Sequence, residues 1–270
     1  MKKHNYNTTQ LDVFNVLERG IAQRDYYAHL FRWSHILKIT KINDKVLDWG
    51  CGTGNLLELL YRNRHKCKKY LGLEYKQSTV NLNKEKFKNI DWADFIQQDL
   101  TLDDFNYGDD WDYIVSFEVA EHIGKQNANK FLLNVLKHMN SNTTFLISTP
   151  VYDPRIGAAK NHTYDSNDGR GIAPQEFTFE EMRDLLEKYF IIEKVNATFC
   201  SQFDYKHTLN DWQKQMFNAL HEYYDSTILS IIMGPIINPR FGRNCIWKCK
   251  MKSKEIQTEL IENDKNKISE

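Results

Sequence analysis

The 270-residue chain carries 36 basic and 36 acidic side chains, so its formal charge is zero. Hydrophobic residues at 41% and aromatics at 13% are enough to fill a sizeable core, which excludes wholesale disorder. The neutral balance argues against a protein that grips nucleic acid by bulk positive charge, because that grip rests on counterions released from many phosphates. Five cysteines without any CxxC pair indicate neither a disulfide framework nor a cysteine zinc site. The polar start Met1–Asn5 leads into no apolar core, and no stretch approaches the ~18 apolar residues needed to span a bilayer. The longest apolar run, Ile228 to Ile237, is broken by Gly234 and Pro235. The expectation is a cytoplasmic protein without a membrane partner.

Residues 9–39 read as helical, with Leu11, Phe14, Leu17, Tyr26, Leu30, Phe31 and Leu37 recurring near the 3.6-residue period. From Lys45 short apolar runs alternate with amphipathic segments. Val46-Leu47 precedes Leu56–Tyr61, Tyr70–Leu73 precedes Val80–Phe87, and Tyr113–Phe117 precedes Phe131–Met139; Thr144–Ser148 and Ile191–Val195 follow. Such alternation indicates βαβ units and a parallel sheet covered on both faces. Leu209, Trp212, Met216, Leu220 and Tyr223 then form a helical stripe over about 208–224, and Cys245–Met251 alternates like a last strand. The chain divides into an N-terminal helical cap (1–44), an α/β core (45–199), a helical insertion or lid (200–244), the last strand (245–252) and a charged tail (253–270).

The strongest feature is Val46-Leu47-Asp48-Trp49-Gly50-Cys51-Gly52-Thr53-Gly54-Asn55, a strand end, three alternate glycines and a helix start. Glycine allows positive φ and close approach of a ligand to the backbone. The spacing GxGxG behind an acid differs from the dinucleotide fingerprint GxGxxG, since a pyrophosphate wants no carboxylate there whereas Asp48 suits a cationic or amino-bearing ligand. No lysine follows as in a GxxxxGK[ST] phosphate loop. Glu74 ends the second strand, 20 residues after Gly54, where a carboxylate suits a ribose diol; Asp99, near the end of the third, could accept from an adenine amine.

These residues carry a resemblance. With VLDWGCGTGN, YLGLE, QQDL, WDYIVSFEVAEHI and FLISTP, the sequence resembles the class I S-adenosylmethionine-dependent methyltransferases over roughly residues 45–195, with a last strand at 245–251. The resemblance implies a Rossmann-like α/β fold, a seven-stranded, mostly parallel sheet whose last strand is antiparallel. It implies S-adenosylmethionine as cofactor, with Asp48 and Gly50 facing its methionine part, Glu74 its ribose and Asp99 its adenine. Leu100 packs beside the adenine and Gly52 and Gly54 shape the loop. Cys51, Asn55, Tyr75, Phe117 and Glu118 join the cofactor-binding set.

Methyl transfer from a sulfonium is an in-line displacement, so acceptor groups are expected past strands four and five. Glu118, Glu121 and His122 lie three and four residues apart and share one face of a helical turn, a spacing that suits a divalent ion. The same E-x-x-E-H pattern resembles the metal site of ubiquinone-pathway O-methyltransferases and of small-RNA 2′-O-methyltransferases. It also occurs in methyltransferases without metal, where it lines the cofactor edge; that reading ranks first. His162, in the polar stretch Tyr152–Gln175, is the candidate catalytic base. Tyr26 and Tyr27 are candidates for closing over the cofactor, with core packing the competing reading.

The expected acceptor is an oxygen or nitrogen of a small molecule such as a sugar, a nucleotide or another metabolite. A nucleic-acid methyltransferase acting on an RNA ribose 2′-oxygen, metal-assisted or not, ranks second, and a non-catalytic cofactor-binding module third. Arg62–Lys69 places five Lys/Arg in eight residues, in the connection to strand two, away from the expected site. From Asp99 to Glu121 eight acids occur without any Lys or Arg. Asp99, Glu118 and Glu121 are expected near the cofactor cleft, which suits a cationic donor and opposes a polyanionic acceptor.

Overall fold

Residues 24–102, 105–152, 176–197, 209–224, 229, 233, 239–242 and 244–253 are described by the structure, a computed structural model. The strand Lys45–Trp49 (β1) sends its side chains alternately to two buried sheet faces, as the period of two requires. Val46 joins Tyr70, Phe95, Val115 and Leu146 on one face. Leu47 and Trp49 join Leu71, Ile114, Phe145 and Ile147 on the other. Burial on both sides is what makes these strands nearly continuous apolar runs and favours parallel pairing.

The remaining strands are Lys69–Glu74 (β2), Ala93–Gln97 (β3), Tyr113–Phe117 (β4), Thr144–Pro150 (β5), Phe190–Ala197 (β6) and Asn244–Met251 (β7). They form one sheet in the order β3-β2-β1-β4-β5-β7-β6. The pairs from β3 to β5 are parallel. β7 slots between β5 and β6 antiparallel to both, so the last strand in sequence is not at the sheet edge. All seven strands anticipated from the sequence are present, with the expected antiparallel last strand.

The helices are Arg24–Ile39 (α1), Asn55–Arg62 (α2), Gln77–Lys86 (α3), the single turn Ala120–Ile123 (α4), Ala128–Lys137 (α5), Phe179–Tyr189 (α6) and Asp211–His221 (α7). Trp33 and Ile36 of α1, Leu57 and Leu60 of α2 and Val80 of α3 cover one sheet face. Phe131 and Leu136 of α5 and Leu186 of α6 cover the other. α6 starts with a capping box in which Thr178 and Glu181 bond each other's backbone N–H. The first part of the 9–39 helical reading lies outside the described residues, as do Cys200 and the tail beyond 253. Among the described residues no helix is long and apolar enough to cross a membrane. The described cysteines, Cys51, Cys67, Cys245 and Cys249, are buried.

α7 lies between β6 and β7 in the chain, where a helical insertion was expected. The stripe divides: Leu209 is buried and Met216 and Leu220 are partly buried against Phe217, Leu229 and Met233, whereas Trp212 is 61% and Tyr223 78% exposed. Tyr223 lies past the end of α7 at His221, and Trp212 sits in its first turn on the side away from the buried Phe217.

Candidate functional site

Parallel strands deliver their carboxyl ends to one sheet edge, and the acids of the sequence motifs collect there. Residues 50–54 leave β1, Glu74 ends β2, Asp99 lies two residues past β3, and Glu118 follows β4 directly. Because β7 is antiparallel, its first residue, Asn244, pairs with Pro150 at the same edge. Arg62–Lys69 runs between α2 and β2 at the opposite edge, where Asn43 N–H donates to the Lys66 carbonyl and Lys68 N–H to that of Asp44. Asp110 and Asp112 are at that far edge too, bound to the Lys45 ammonium and the Lys45 backbone N–H. The acidic run is therefore split between the two ends of the sheet; Asp103 and Asp104 lie outside the described residues.

Gly50, Gly52 and Gly54 all have left-handed φ, of 94°, 52° and 73°. Two of them are hemmed in: a Cβ on Gly50 would meet Val119 at 2.5 Å, and one on Gly54 would meet Phe87 at 2.5 Å. Gly52 faces open space, with nothing within 4 Å of an added Cβ. Its peptide is pinned on both sides, the N–H donating to Glu74 Oε2 at 3.2 Å and the carbonyl accepting from Asn83 Nδ2 at 2.7 Å. Gly50 and Cys51 N–H both donate to the Leu73 carbonyl. The loop is thus a fixed backbone cradle, open at its middle glycine.

Asp48 is buried under this cradle and accepts from the Tyr70 hydroxyl at 2.5 Å. Burial raises its carboxyl to about 7, the Tyr70 bond opposing and the Glu74 charge adding to the rise. Glu74 also accepts from Lys76 N–H through Oε1. Asp99 is turned by an Asx-type loop in which Oδ1 accepts from both the N–H and the hydroxyl of Thr101. Leu100 is buried, its carbonyl held by Asn134 Nδ2. Cys51 is buried beside Gly72, and burial raises its thiol well above the usual range. Asn55 opens α2 and accepts from Thr53 Oγ1, while the Tyr75 carbonyl accepts from Gln97 Nε2. Phe117 is half-buried against the face that includes Tyr70.

This donor set fits S-adenosylmethionine. The cradle leaves room at Gly52 for a ligand against the backbone. Two acids beneath and beside it, one raised by burial and by the other's charge, favour a ligand that brings positive charge.

After β4 the side chains are held by the protein itself. Glu118 has a left-handed φ of 57°. Its Oε1 accepts from Ser148 Oγ at 2.9 Å, its Oε2 accepts from Asn244 Nδ2 at 3.0 Å, and Arg32 Nη1 lies 3.6 Å from Oε2. Glu121 is buried and accepts from Thr149 Oγ1; burial, with the Glu118 charge adding, pushes it well above the usual carboxylate range. His122 Nε2 is 3.9 Å from Glu121 Oε1. Among the described residues no group of three or more His, Cys, Asp or Glu is set to hold a metal ion. The trio whose spacing suits a divalent ion, a reading ranked second to a cofactor-edge role, has its carboxylates committed to Ser148, Asn244 and Thr149, which helical spacing cannot reveal. His162 and the side chains of Tyr26 and Tyr27 lie outside the described residues.

Sequence reasoning missed Tyr70, Asn83, Arg32, Ser148 and Asn244, which position the acids and the loop. Only Asn83 carried a signal, a polar residue three after the inward-facing Val80 of α3.

The methyltransferase-domain family model matches residues 22–189, more than half of the chain, and the chain belongs to that family. No curated protein matches it. Solved structures share the fold at low identity. The methyltransferase solved with the Trm112 methyltransferase activator of Haloferax volcanii aligns at a TM-score of 0.56 and 14% identity, over 92% of this chain and 98% of that one. An S-adenosylmethionine-dependent methyltransferase from Clostridium acetobutylicum gives 0.54 and 13%, over 89% and 97%. The magnesium protoporphyrin IX methyltransferase of Synechocystis, solved with S-adenosylhomocysteine, gives 0.52 and 13%, over 86% and 84%. Family and fold make the protein a class I, S-adenosylmethionine-dependent methyltransferase.

Proposed function

We propose that the enzyme methylates an oxygen or nitrogen of a small, neutral or weakly charged acceptor. The observation that carries this reading is the placement of charge: Asp48, Glu74, Asp99 and Glu118 gather at the carboxyl edge of the sheet, while Arg62–Lys69 is at the other end. A polyanion would meet carboxylates at the reacting edge and find its counter-charges a sheet's length away.

In this reading the cradle of Gly50, Cys51, Gly52, Gly54 and Asn55 holds the methionine part over Asp48. Glu74 accepts from the ribose hydroxyls, Asp99 accepts from the adenine amine, and Leu100, Tyr75 and Phe117 line the base. Bound there, the cofactor supplies an electrophilic methyl group on a sulfonium centre. The chain's residues orient it, exclude water and align the acceptor, which is where most of the rate of such a displacement originates. An oxygen acceptor needs a proton removed; His162, past β5 in the chain, is assigned that role, on sequence position alone. Glu118 takes a supporting role, its carboxylate being held by Ser148, Asn244 and Arg32.

The test is transfer of a tritiated methyl group from the cofactor into fractionated host extract, with and without nuclease. Label in nuclease-resistant small molecules supports the reading. Label in nuclease-sensitive polymer would replace it with ribose or base methylation of a nucleic acid. For an oxygen acceptor His162→Ala should abolish labelling and leave cofactor affinity intact.

A further inference from the structure

We infer that Arg32 of α1 is a positioning residue for the cofactor cradle, acting through its ion pair with Glu118. The inference rests on the cofactor reading above and adds to it a residue that no motif contains.

Arg32 is 2% exposed, and a cation so buried needs a carboxylate beside it. Glu118 Oε2, at 3.6 Å, is that carboxylate. Glu118 in turn is where four elements meet: it leaves β4, its N–H donates to the Ser148 carbonyl of β5, and its oxygens take Ser148 Oγ and Asn244 Nδ2 of β7, with α1 supplying the charge. This set of partners holds a non-glycine residue at a φ of 57°, a conformation costing ~1–2 kcal/mol unless its surroundings impose it.

What the strained residue controls is its successor. Val119 lies against the first glycine of the cradle, where a Cβ on Gly50 would come within 2.5 Å of Val119 Cγ2 and 3.0 Å of Cγ1. No space separates the chain after β4 from the chain after β1. A second tie runs alongside, Ser116 Oγ donating to the Trp49 carbonyl at 2.9 Å. If Glu118 relaxes toward right-handed φ, Val119 must shift and Gly50 with it. The buried guanidinium, paired with Glu118, therefore sets the shape of the loop through Glu118 and Val119.

The test is calorimetric titration of the full chain with S-adenosylmethionine and S-adenosylhomocysteine. Arg32→Met should weaken both about tenfold, and Arg32→Lys should recover most of the loss because the charge returns. Glycine takes left-handed φ without strain, so Arg32→Met/Glu118→Gly should bind about threefold or more tighter than Arg32→Met alone. A residue that merely stabilised the fold would not be rescued in affinity by removing its own partner. Unchanged affinity in Arg32→Met, or a double variant no better than the single one, would overturn the inference. If Arg32→Met does not fold, Asn244→Ala carries the test: a loss of about threefold supports the positioning chain, and wild-type affinity overturns it. A wild type that binds neither ligand would overturn the cofactor reading itself, and this inference with it.

Discussion

The Tyr70 hydroxyl donates to Asp48 Oδ2 at 2.5 Å, tying the first two strands together directly beneath the glycine cradle. Both side chains are buried, at positions adjacent in the parallel register where Asp48 faces Gly72 and Val46 faces Tyr70. The bond stabilises an ionised Asp48, yet burial outweighs it and Asp48 is raised to about 7. The acid that opens the family motif is thus neutral over part of the physiological range unless a cation joins it.

The first consequence is for stability. With an unfolded value near 3.9, Asp48 is protonated in both states below about pH 4 and costs nothing there. Between pH 4 and 7 the unfolded chain ionises while the folded one does not, so the fold loses stability, and above about 7 the penalty is constant. At ~1.4 kcal/mol per tenfold the loss is at most about 4 kcal/mol. Glu121, also raised by burial, acts in the same direction. Asp48→Asn keeps an acceptor for Tyr70 and should flatten much of this dependence, read as urea midpoints at pH 5 and pH 8. An equally steep fall in the variant would refute the assignment.

Binding should show the opposite trend. If the cofactor's ammonium lies over Asp48, affinity for S-adenosylmethionine rises as Asp48 ionises, by about tenfold between pH 5.5 and 7. Methylthioadenosine lacks the amino-acid part and should show no such rise. Parallel pH profiles for the two ligands would place Asp48 away from the methionine end.

The glycines separate folding from binding. Gly54→Ala puts a methyl group 2.5 Å from the Phe87 ring and should destabilise the fold by about 2–4 kcal/mol, overpacking and left-handed strain together. Gly52→Ala meets nothing within 4 Å, so it should cost only the ~1 kcal/mol of its φ while filling the space offered to the ligand. Thermal unfolding should therefore show Gly52→Ala close to wild type, and calorimetry should show it losing at least about 100-fold in cofactor affinity. A tight-binding Gly52→Ala would mean that the ligand lies elsewhere.

The strands and the acids at the carboxyl edge were legible because each rests on local pattern: two-sided apolar runs, glycines at alternate positions, and an acid where a run stops. Cross-chain supports were not. Tyr70 reads as one more apolar strand residue, and Asn244 as a polar residue before the last strand. Glu118 shows how spacing misleads, since its three- and four-residue distances to Glu121 and His122 are helical, yet it sits outside the turn in a left-handed conformation. Whether a carboxylate points at a metal or at Ser148 depends on one backbone angle that no periodicity encodes. Trp212 departed from its stripe for a related reason, because burial on a helix is decided by what packs against it, and Tyr223 because the helix ends at His221.

Two buried or half-buried carboxylates, Glu58 and Glu74, should respond to removal in opposite ways. Glu58 of α2 takes Arg62 Nη2 at 2.5 Å and Lys86 Nζ of α3 at 2.7 Å, fastening the two helices on one sheet face. Its partners are about 40% exposed and can rehydrate, so Glu58→Ala should cost about 1–3 kcal/mol of stability, mostly from lost packing and the helix tie. Cofactor affinity should stay within about twofold of wild type, since the Glu58 side chain is engaged with Arg62 and Lys86 and its backbone bond to the Gly54 carbonyl survives the substitution. Glu74 instead accepts from Gly52 and Lys76 N–H and is half-buried at the carboxyl edge. Glu74→Ala should lower stability by only about 1 kcal/mol and reduce affinity about 100-fold, through the ribose contacts and the freed Gly52 peptide together. Chemical denaturation and calorimetry on the same two preparations decide the matter. Comparable affinity losses in both variants would show that the helix tie, and not the strand-end acid, governs the site.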